Sequence, residues 1–181
     1  MRCFIAIELE RETRDILSSI QKMLLEGGVR GNYTRAENLH LTLKFLGEID
    51  SSIYEKTQKV IKKIASEHKS FVLTMDIIGT FERGSKKIVW AGLLKNSKLE
   101  YIFKDLDSEI CEIMPIAKEK HYTPHITLAR EAILPDIPLT SVVAREKLNH
   151  SFNVSGISLM ESTRRDGKLV YLRRGFESFN R

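Results

Sequence analysis

Two short segments of the chain carry the same pattern of side chains, and their residue types could perform acid–base chemistry. His-Leu-Thr-Leu occupies residues 40–43, and His-Ile-Thr-Leu occupies residues 125–128, which lie 85 residues further along. Alternation of polar and aliphatic residues is the period of a half-buried β-strand. The histidine and threonine of each segment are therefore predicted to share one face of a strand, with the aliphatic residues behind them. We take this repeated polar face as the candidate site.

Two imidazoles placed on opposite sides of one phosphate would provide an acid and a base together. An unperturbed histidine titrates at about pH 6.5, so one ring can be protonated while the other is neutral. In the hydrolysis of a phosphodiester, the neutral ring takes a proton from water while the charged ring gives one to the departing oxygen. The hydroxyls of Thr42 and Thr127 are short, stiff donors suited to the non-bridging oxygens. This chemistry requires no metal, and we expect no cofactor.

A structural role and a zinc site are the alternatives to catalysis for these histidines. A single His-x-Thr strand is more often part of a satisfied core than a catalyst, but two copies in matching contexts favour function. His121 and His125 are spaced like the histidines of a zinc helix. Pro124 disfavours a helix there and no glutamate follows His121, so zinc is the minor hypothesis and His121 is predicted to be a loop histidine. Neither cysteine has a neighbouring base, and neither is assigned as a nucleophile.

Composition sets the broad class of the protein. The chain has 181 residues, of which 42% are hydrophobic and 29% charged, as is ordinary for one globular unit. The net charge of +5 is compatible with an anionic partner such as a phosphate or a nucleic acid, but a modest lysine excess more often means a solvated surface. The apolar run at the start is too short for a signal peptide, and no stretch approaches the roughly 20 apolar residues of a membrane span. We expect a cytoplasmic protein.

Strands and helices that would position the two segments can be predicted from periodicity. Helices are expected at about 10–25, 51–65, 97–114 and 140–148, and strands at 2–8, 29–34, 39–46, 71–81, 86–93, 125–130, 152–162 and 168–176. Recurring hairpins favour an antiparallel α+β fold over a doubly wound parallel sheet. We expect one domain, 1–181, with two antiparallel sheets and flanking helices forming pseudo-symmetric lobes around a central cleft. The lobes would span roughly 1–94 and 95–181, a division compatible with strand exchange between them.

At this point the residues resemble a known family. His40-Leu-Thr-Leu-Lys-Phe-Leu-Gly47 and Pro124-His-Ile-Thr-Leu-Ala-Arg130 are similar to the paired motifs of the two-histidine (2H) phosphoesterase superfamily. More narrowly, they resemble its RNA 2',3'-cyclic phosphodiesterase branch, also known as 2'-5' RNA ligases. The resemblance extends from Arg2-Cys-Phe-Ile-Ala-Ile through Val89-Trp-Ala-Gly92 to Glu161-Ser-Thr. It implies a bilobal, pseudo-symmetric α+β fold with the motif residues in a central cleft.

The resemblance also implies an activity and roles for its residues. The activity is hydrolysis of RNA 2',3'-cyclic phosphate ends to 2'-phosphomonoesters without metal or nucleotide cofactor. His40 would be the proton donor to the leaving oxygen, and His125 the proton acceptor from water. Symmetry of the two motifs means that their residues alone do not distinguish acid from base.

Phe45 and Arg130 lie five residues beyond the two histidines. The resemblance implies that they hold the terminal nucleobase between a ring and a guanidinium. Strict strand alternation, however, puts both on the face opposite the histidines. Either each strand twists or ends before that position, or these are packing residues. The same parity puts Lys44 on the polar face with His40 and Thr42.

Three other functions remain open on sequence grounds. The cleft could bind phosphorylated or cyclic RNA ends without catalysis, or it could hydrolyse a small cyclic nucleotide. Joining of RNA ends through a 2'-5' linkage would be a secondary activity. The expected partner is RNA with a 2',3'-cyclic phosphate terminus, and tRNA-derived ends are among the candidates. We expect a monomer with no membrane partner, because one chain completes the cleft.

Overall fold

The computed structural model describes residues 1–180 and confirms an α+β fold built on antiparallel strands. Its elements follow the predicted order, with the region around 140–148 forming two short helices and that around 152–162 divided between two strands. In chain order the elements are β1 (Arg2–Glu8), α1 (Arg11–Glu26), β2 (Arg30–Tyr33), a 3-10 helix (Ala36–Asn38), β3 (His40–Glu48), α2 (Ser51–Glu67), β4 (Phe71–Arg83), β5 (Lys86–Leu93), α3 (Ser97–Ile113), β6 (His125–Ile133), α4 (Leu139–Val142), α5 (Arg145–Leu148), β7 (Ser151–Val154), β8 (Gly156–Arg165) and β9 (Lys168–Ser178).

The strands of the described residues form one nine-stranded sheet in the order β7-β4-β5-β6-β3-β1-β8-β9, and β2 pairs with β6 off this path. The two His-x-Thr strands, β3 and β6, are therefore neighbours at its centre. A single register pair, Leu41 with Ile126, joins them in antiparallel fashion. This pair links the half of the sheet that ends at β6 to the half that begins at β3. The strands therefore form one continuous sheet, whereas we expected two separate sheets.

The strand order crosses the boundary that we placed near residue 94. β4 and β5 come before it, yet β5 pairs with β6 and β4 with β7. β8 and β9 come after it, yet β8 pairs with β1. Each half of the sheet thus contains strands from both parts of the chain. The description of the fold as two lobes stays a prediction.

The helices supply one large core that fixes the backs of the motif strands. Asp50 caps α2 by accepting a hydrogen bond from the backbone of Ile53 at 2.8 Å, and Asn96 caps α3 in the same way. The apolar stripes of the three long helices are buried in one cluster that includes the aliphatic residues of β1, β3 and β6. Each fully buried aliphatic side chain contributes about 1.5–3 kcal/mol. Leu41 and Ile126 are wholly buried, so the polar faces of their strands are held outward from this core.

Candidate active site

A cleft of about 930 Å³ lies over the two motif strands and holds most of the predicted site residues. Its walls also come from the β4–β5 and β8–β9 hairpins. Among its lining residues are Thr42, Phe45, His125, Thr127 and Arg130. His40 borders an adjoining cavity of about 20 Å³, and its Nε2 lies 2.9 Å from the Thr42 hydroxyl, which lines the main cleft. The structure thus brings together residues that are 85 positions apart in the chain.

The register of β3 and β6 arranges the four polar side chains in a compact group. Leu41 pairs with Ile126, and the strands are antiparallel. His40 therefore lies on the same side of that pair as Thr127, and Thr42 lies on the same side as His125. All four side chains are half-buried. Each histidine thus has a threonine of its own strand and one of the neighbouring strand close by.

Both imidazole rings are oriented in the same way by their own backbone. Nδ1 of His40 donates to the carbonyl of Asn38, and Nδ1 of His125 donates to the carbonyl of Thr123, each at 2.7 Å. A carbonyl can only accept, so Nδ1 carries the hydrogen and Nε2 is the reactive nitrogen of the neutral ring. In His40 this Nε2 accepts a hydrogen bond from Thr42. Two histidines with the same tautomer and an Nε2 that carries no hydrogen suit proton transfer at a shared substrate.

The surroundings favour the neutral form of both rings. Burial lowers the pKa of His40 and of His125, and the nearby positive charge of Arg130 lowers the pKa of each further. The orienting carbonyls act in the opposite direction and raise the pKa, because a hydrogen bond to a carbonyl is stronger from the charged ring than from the neutral one. An anionic phosphate bound in the cleft would also favour protonation. These surroundings therefore favour a histidine that acts as a base, and bound substrate would help to provide the acid.

Each of the two histidine rings packs against two aromatic rings. Tyr171 meets His40 edge to face, with centroids 5.1 Å apart and planes at 90°. Phe81 meets His125 at 4.9 Å and 89°. Phe4 packs on His40 at 4.8 Å, and Trp90 lies 6.1 Å from His125. These contacts restrict rotation of both imidazoles and shield part of each ring from water.

An irregularity at the same place in both motif strands brings Phe45 and Arg130 into the cleft. The residue three positions beyond each histidine, Leu43 or Leu128, has no register partner on β1 or β5, respectively. Such a bulge inserts one extra residue and reverses the side-chain alternation beyond it. Strict alternation would have sent Phe45 and Arg130 to the core, but both are exposed and line the cleft.

The same bulge makes our placement of Lys44 on the polar face wrong. Lys44 points into the protein, where its side chain is only 3% exposed. Its Nζ donates to Asp107 Oδ1 at 2.6 Å and to the carbonyl of Ala117 at 3.1 Å. Consecutive residues Leu43 and Lys44 are both buried, which period-two alternation does not allow.

Some residues of the site could not be found by sequence reasoning. Arg2, Arg83 and Arg164 line the cleft, and within residues 1–180 no carboxylate lies within 4.0 Å of any of these guanidinium groups. Phe81 and Tyr171 come from hairpins distant in sequence. Their only local signal was membership of a predicted strand. The excess of arginine around the cleft suits an anionic substrate.

Two negative observations apply to the residues that the structure describes. No group of three or more histidine, cysteine, aspartate or glutamate side chains within 1–180 is arranged to hold a metal ion. His121, which the minor zinc hypothesis paired with His125, lies exposed in the loop before β6. Across the same residues, no helix combines the length and the apolar character needed to cross a bilayer.

Comparison with known proteins identifies the family of the chain. The model of the 2'-5' RNA ligase superfamily matches residues 13–166. The chain is 31% identical over 137 residues to the RNA 2',3'-cyclic phosphodiesterase of Thermotoga maritima, covering 75% of this chain and 73% of that protein. It is 30% identical over 134 residues to the protein of the same name from Escherichia coli, covering 72% of each.

Solved structures agree with this result over nearly the full length. The structure of E. coli LigT complexed with 3'-AMP aligns with a TM-score of 0.84 at 26% identity, covering 99% of this chain and 98% of that one. The protein TT0787 of Thermus thermophilus shares the fold, with a TM-score of 0.81 at 22% identity and the same coverage of both chains. Since the family model covers most of the chain, and relatives at 30% identity or more align over some three quarters of it, the chain belongs to the 2'-5' RNA ligase superfamily.

Proposed function

We propose that this protein hydrolyses the 2',3'-cyclic phosphate ends of RNA to 2'-phosphomonoesters without a metal ion, with His40 as proton donor and His125 as proton acceptor. The observation that carries the proposal is the matched orientation of the two imidazoles on adjacent strands. Each holds its Nδ1–H on a backbone carbonyl at 2.7 Å and leaves Nε2 for chemistry. The relatives named RNA 2',3'-cyclic phosphodiesterase support the choice of substrate.

The proposed reaction is an in-line displacement at phosphorus. His125 Nε2 accepts a proton from water as the water oxygen forms a bond to phosphorus. The bond from phosphorus to the 3' oxygen breaks, and protonated His40 donates its Nε2 hydrogen to that oxygen. The phosphate remains on the 2' oxygen. Exchange of protons with water then restores the starting charge states, and each positioned transfer is worth about a hundred- to ten-thousand-fold in rate.

The threonines and Arg130 complete the proposed phosphate site. Thr42 and Thr127 line the cleft and would donate to the non-bridging oxygens. Thr42 now donates to His40 Nε2, so transfer of that hydrogen bond to the phosphate would free the nitrogen to hold its own proton. Arg130, which the family resemblance assigns to the terminal nucleobase, is near enough to affect both imidazoles, and its guanidinium would also offset phosphate charge.

A 5'-hydroxyl could take the place of water in the same scheme. His125 would then deprotonate that hydroxyl, and its attack on the cyclic phosphate would form a 2'-5' linkage. Ligation requires close alignment of two RNA ends, and this alignment costs more entropy than attack by a water molecule does. We therefore propose ligation only as a secondary activity.

The proposal is tested by incubating a short RNA bearing a 2',3'-cyclic phosphate with the protein in excess chelator. We expect turnover, and the product phosphate should be on the 2' oxygen as determined by NMR. Tight binding of the RNA end without product would instead favour an end-binding module. Hydrolysis of a 2',3'-cyclic mononucleotide alone would assign a small cyclic substrate. A 3'-phosphate product would contradict the proposed bond cleavage.

Phe45 is proposed to stack on the terminal base. Its ring is 61% exposed in the cleft, although burying it would be favourable. We expect Phe45→Ala to raise KM about tenfold with a small change in kcat, because one base–aromatic stack is worth roughly 1–3 kcal/mol. The matched control is Tyr101→Ala on α3, which removes an aromatic ring that is also 61% exposed but lies away from the cleft. Equal KM values for the two variants would remove Phe45 from the base site.

Replacing Arg130 by methionine should shift the pH dependence of hydrolysis. The positive charge of Arg130 lowers the pKa of His40 and of His125, so its loss should raise both. Both limbs of the kcat/KM profile, which report the free enzyme, are then expected at higher pH. Arg83→Met is the matched control, because Arg83 lines the cleft but is not among the charges that shift either histidine. Unmoved limbs in Arg130→Met would show that its charge does not act on the titrating groups.

A further inference from the structure

The segment between α3 and β6, residues 114–124, contains no helix or strand, yet it supplies the carbonyl that orients His125. The corresponding carbonyl for His40 belongs to Asn38 at the end of a 3-10 helix. The Asn38 side chain is itself anchored, donating to the carbonyl of Leu169 at 3.0 Å. No such regular structure holds Thr123. The orientation of His125 therefore depends on the side chains that fix this segment.

A buried ion pair fixes the first part of the segment. Lys44 Nζ donates to the carbonyl of Ala117 at 3.1 Å and to Asp107 Oδ1 at 2.6 Å. Asp107 also accepts from the backbone of Glu119, with N–Oδ2 at 3.2 Å. The side chains of Lys44 and Asp107 are 3% and 7% exposed. Paired charges without access to water hold their hydrogen bonds in one geometry.

Tyr122 fixes the end of the segment next to Thr123. Its hydroxyl donates to the carbonyl of Thr42 at 3.0 Å. Its ring stacks on Phe103 of α3, with centroids 3.9 Å apart and planes within 3° of parallel. Burial raises the pKa of Tyr122, so the phenol remains a hydrogen-bond donor throughout the physiological range. The residue that follows in the chain is Thr123, the acceptor of the His125 hydrogen bond.

This contact also connects the two motif strands. β3 and β6 share only the register pair Leu41–Ile126, so few backbone bonds set the distance between the histidines. Tyr122 lies three residues before the start of β6 and donates to the carbonyl of Thr42, which is in β3 and belongs to the first motif. A small displacement between acid and base is costly, because both must reach the same phosphate.

We infer that Tyr122, supported by Lys44 and Asp107, is a positioning residue that holds the Thr123 carbonyl and thereby sets the tautomer and direction of the His125 ring. The inference rests on the proposed function for its kinetic consequence, but its structural consequence can be measured without substrate. Tyr122 acts through Thr123 and makes no contact with the reacting atoms in this scheme.

The test uses Tyr122→Phe, which keeps the stack on Phe103 and removes only the hydroxyl. Long-range ¹H–¹⁵N NMR of the histidine rings reports their tautomers. In this variant the Nδ1–H tautomer of His125 should no longer predominate, while the tautomer population of His40 should be unchanged. With cyclic-ended RNA, kcat should fall about three- to tenfold, the worth of one hydrogen bond, with KM near the wild-type value. Tyr33→Phe is the matched control, because it removes a hydroxyl that donates to the carbonyl of Val29, also at 3.0 Å.

The outcomes separate this inference from the proposed function. A Tyr122→Phe protein with a lower melting temperature but wild-type His125 tautomer and kcat would show that Tyr122 is purely structural, and would overturn the inference. Equal tautomer changes in Tyr33→Phe would overturn it as well. If wild-type protein fails to hydrolyse the RNA, the proposed function fails, and the tautomer signals still decide whether Tyr122 positions the ring.

Discussion

Alanine at position 40 or 125 is expected to reduce kcat for cyclic-phosphate hydrolysis by about a hundred- to ten-thousand-fold, with little change in KM. Each substitution removes one positioned proton transfer and leaves the threonines and Arg130 to bind the phosphate. The double variant should be only slightly worse than the weaker single variant, because an acid and a base that act in one step do not contribute independently. Steady-state kinetics on an RNA with a 2',3'-cyclic phosphate end give kcat and KM for all three variants.

His121→Ala is the matched control for these variants. It also removes an imidazole, only four positions before His125, but His121 is exposed in the loop before the strand. We expect its kcat and KM to equal those of the wild type. Melting temperatures should confirm that the His40 and His125 variants remain folded. Near-normal turnover in either of these two variants would disprove paired-histidine catalysis.

Lys44→Met is expected to destabilise the protein by about 3–5 kcal/mol, because it leaves the carboxylate of Asp107 buried without its partner. The methionine occupies a similar volume, so the effect should come from the unpaired charge and not from a cavity. Urea denaturation followed by circular dichroism measures the change in the free energy of unfolding. The double variant Lys44→Met with Asp107→Leu should recover most of that loss, since both charges are then removed.

A second lysine provides the control for the ion pair. Lys87 bonds Glu82 at a comparable distance, 2.9 Å, but both side chains are exposed to water. Lys87→Met should change the free energy of unfolding very little, because exposed ion pairs contribute little to stability. If Lys44→Met is also nearly neutral, water must reach Asp107 in the folded protein. If the double variant is no more stable than Lys44→Met, Lys44 contributes through its contact with Ala117 and not through the charge pair.

The matched bulges explain how one strand can serve both the core and the cleft. Up to Leu43 and Leu128, alternation gives each strand a polar face with a histidine and a threonine. Beyond the bulge, the next side chains change faces, and a large cleft residue follows a buried one. In β3 the bulge directs the side chain of Phe45 into the cleft and that of Lys44 toward the loop before His125. The same irregularity thus connects the substrate wall to the support of the catalytic ring.

Much of this organisation could be predicted from local patterns. The His-x-Thr segments predicted their own strands, because a period of two places alternating side chains on opposite faces whatever the rest of the fold does. The helical stripes likewise depend on residues within a few positions. Hairpins formed by neighbouring strands indicated an antiparallel α+β fold. For these reasons the helices, most strands and the histidine–threonine pairs followed from sequence.

The tertiary structure decided the features that depend on distant parts of the chain. A bulge is defined by the register against a partner strand, so the faces of Lys44, Phe45 and Arg130 could not follow from the period of their own strands. The union of two expected sheets into one depends on the pairing of Leu41 with Ile126. The role inferred for Tyr122 depends on its hydrogen bond to the carbonyl of Thr42, which lies 80 positions away in the chain. Local composition specifies which face is polar, whereas long-range hydrogen bonds and packing determine where that face points and what meets it.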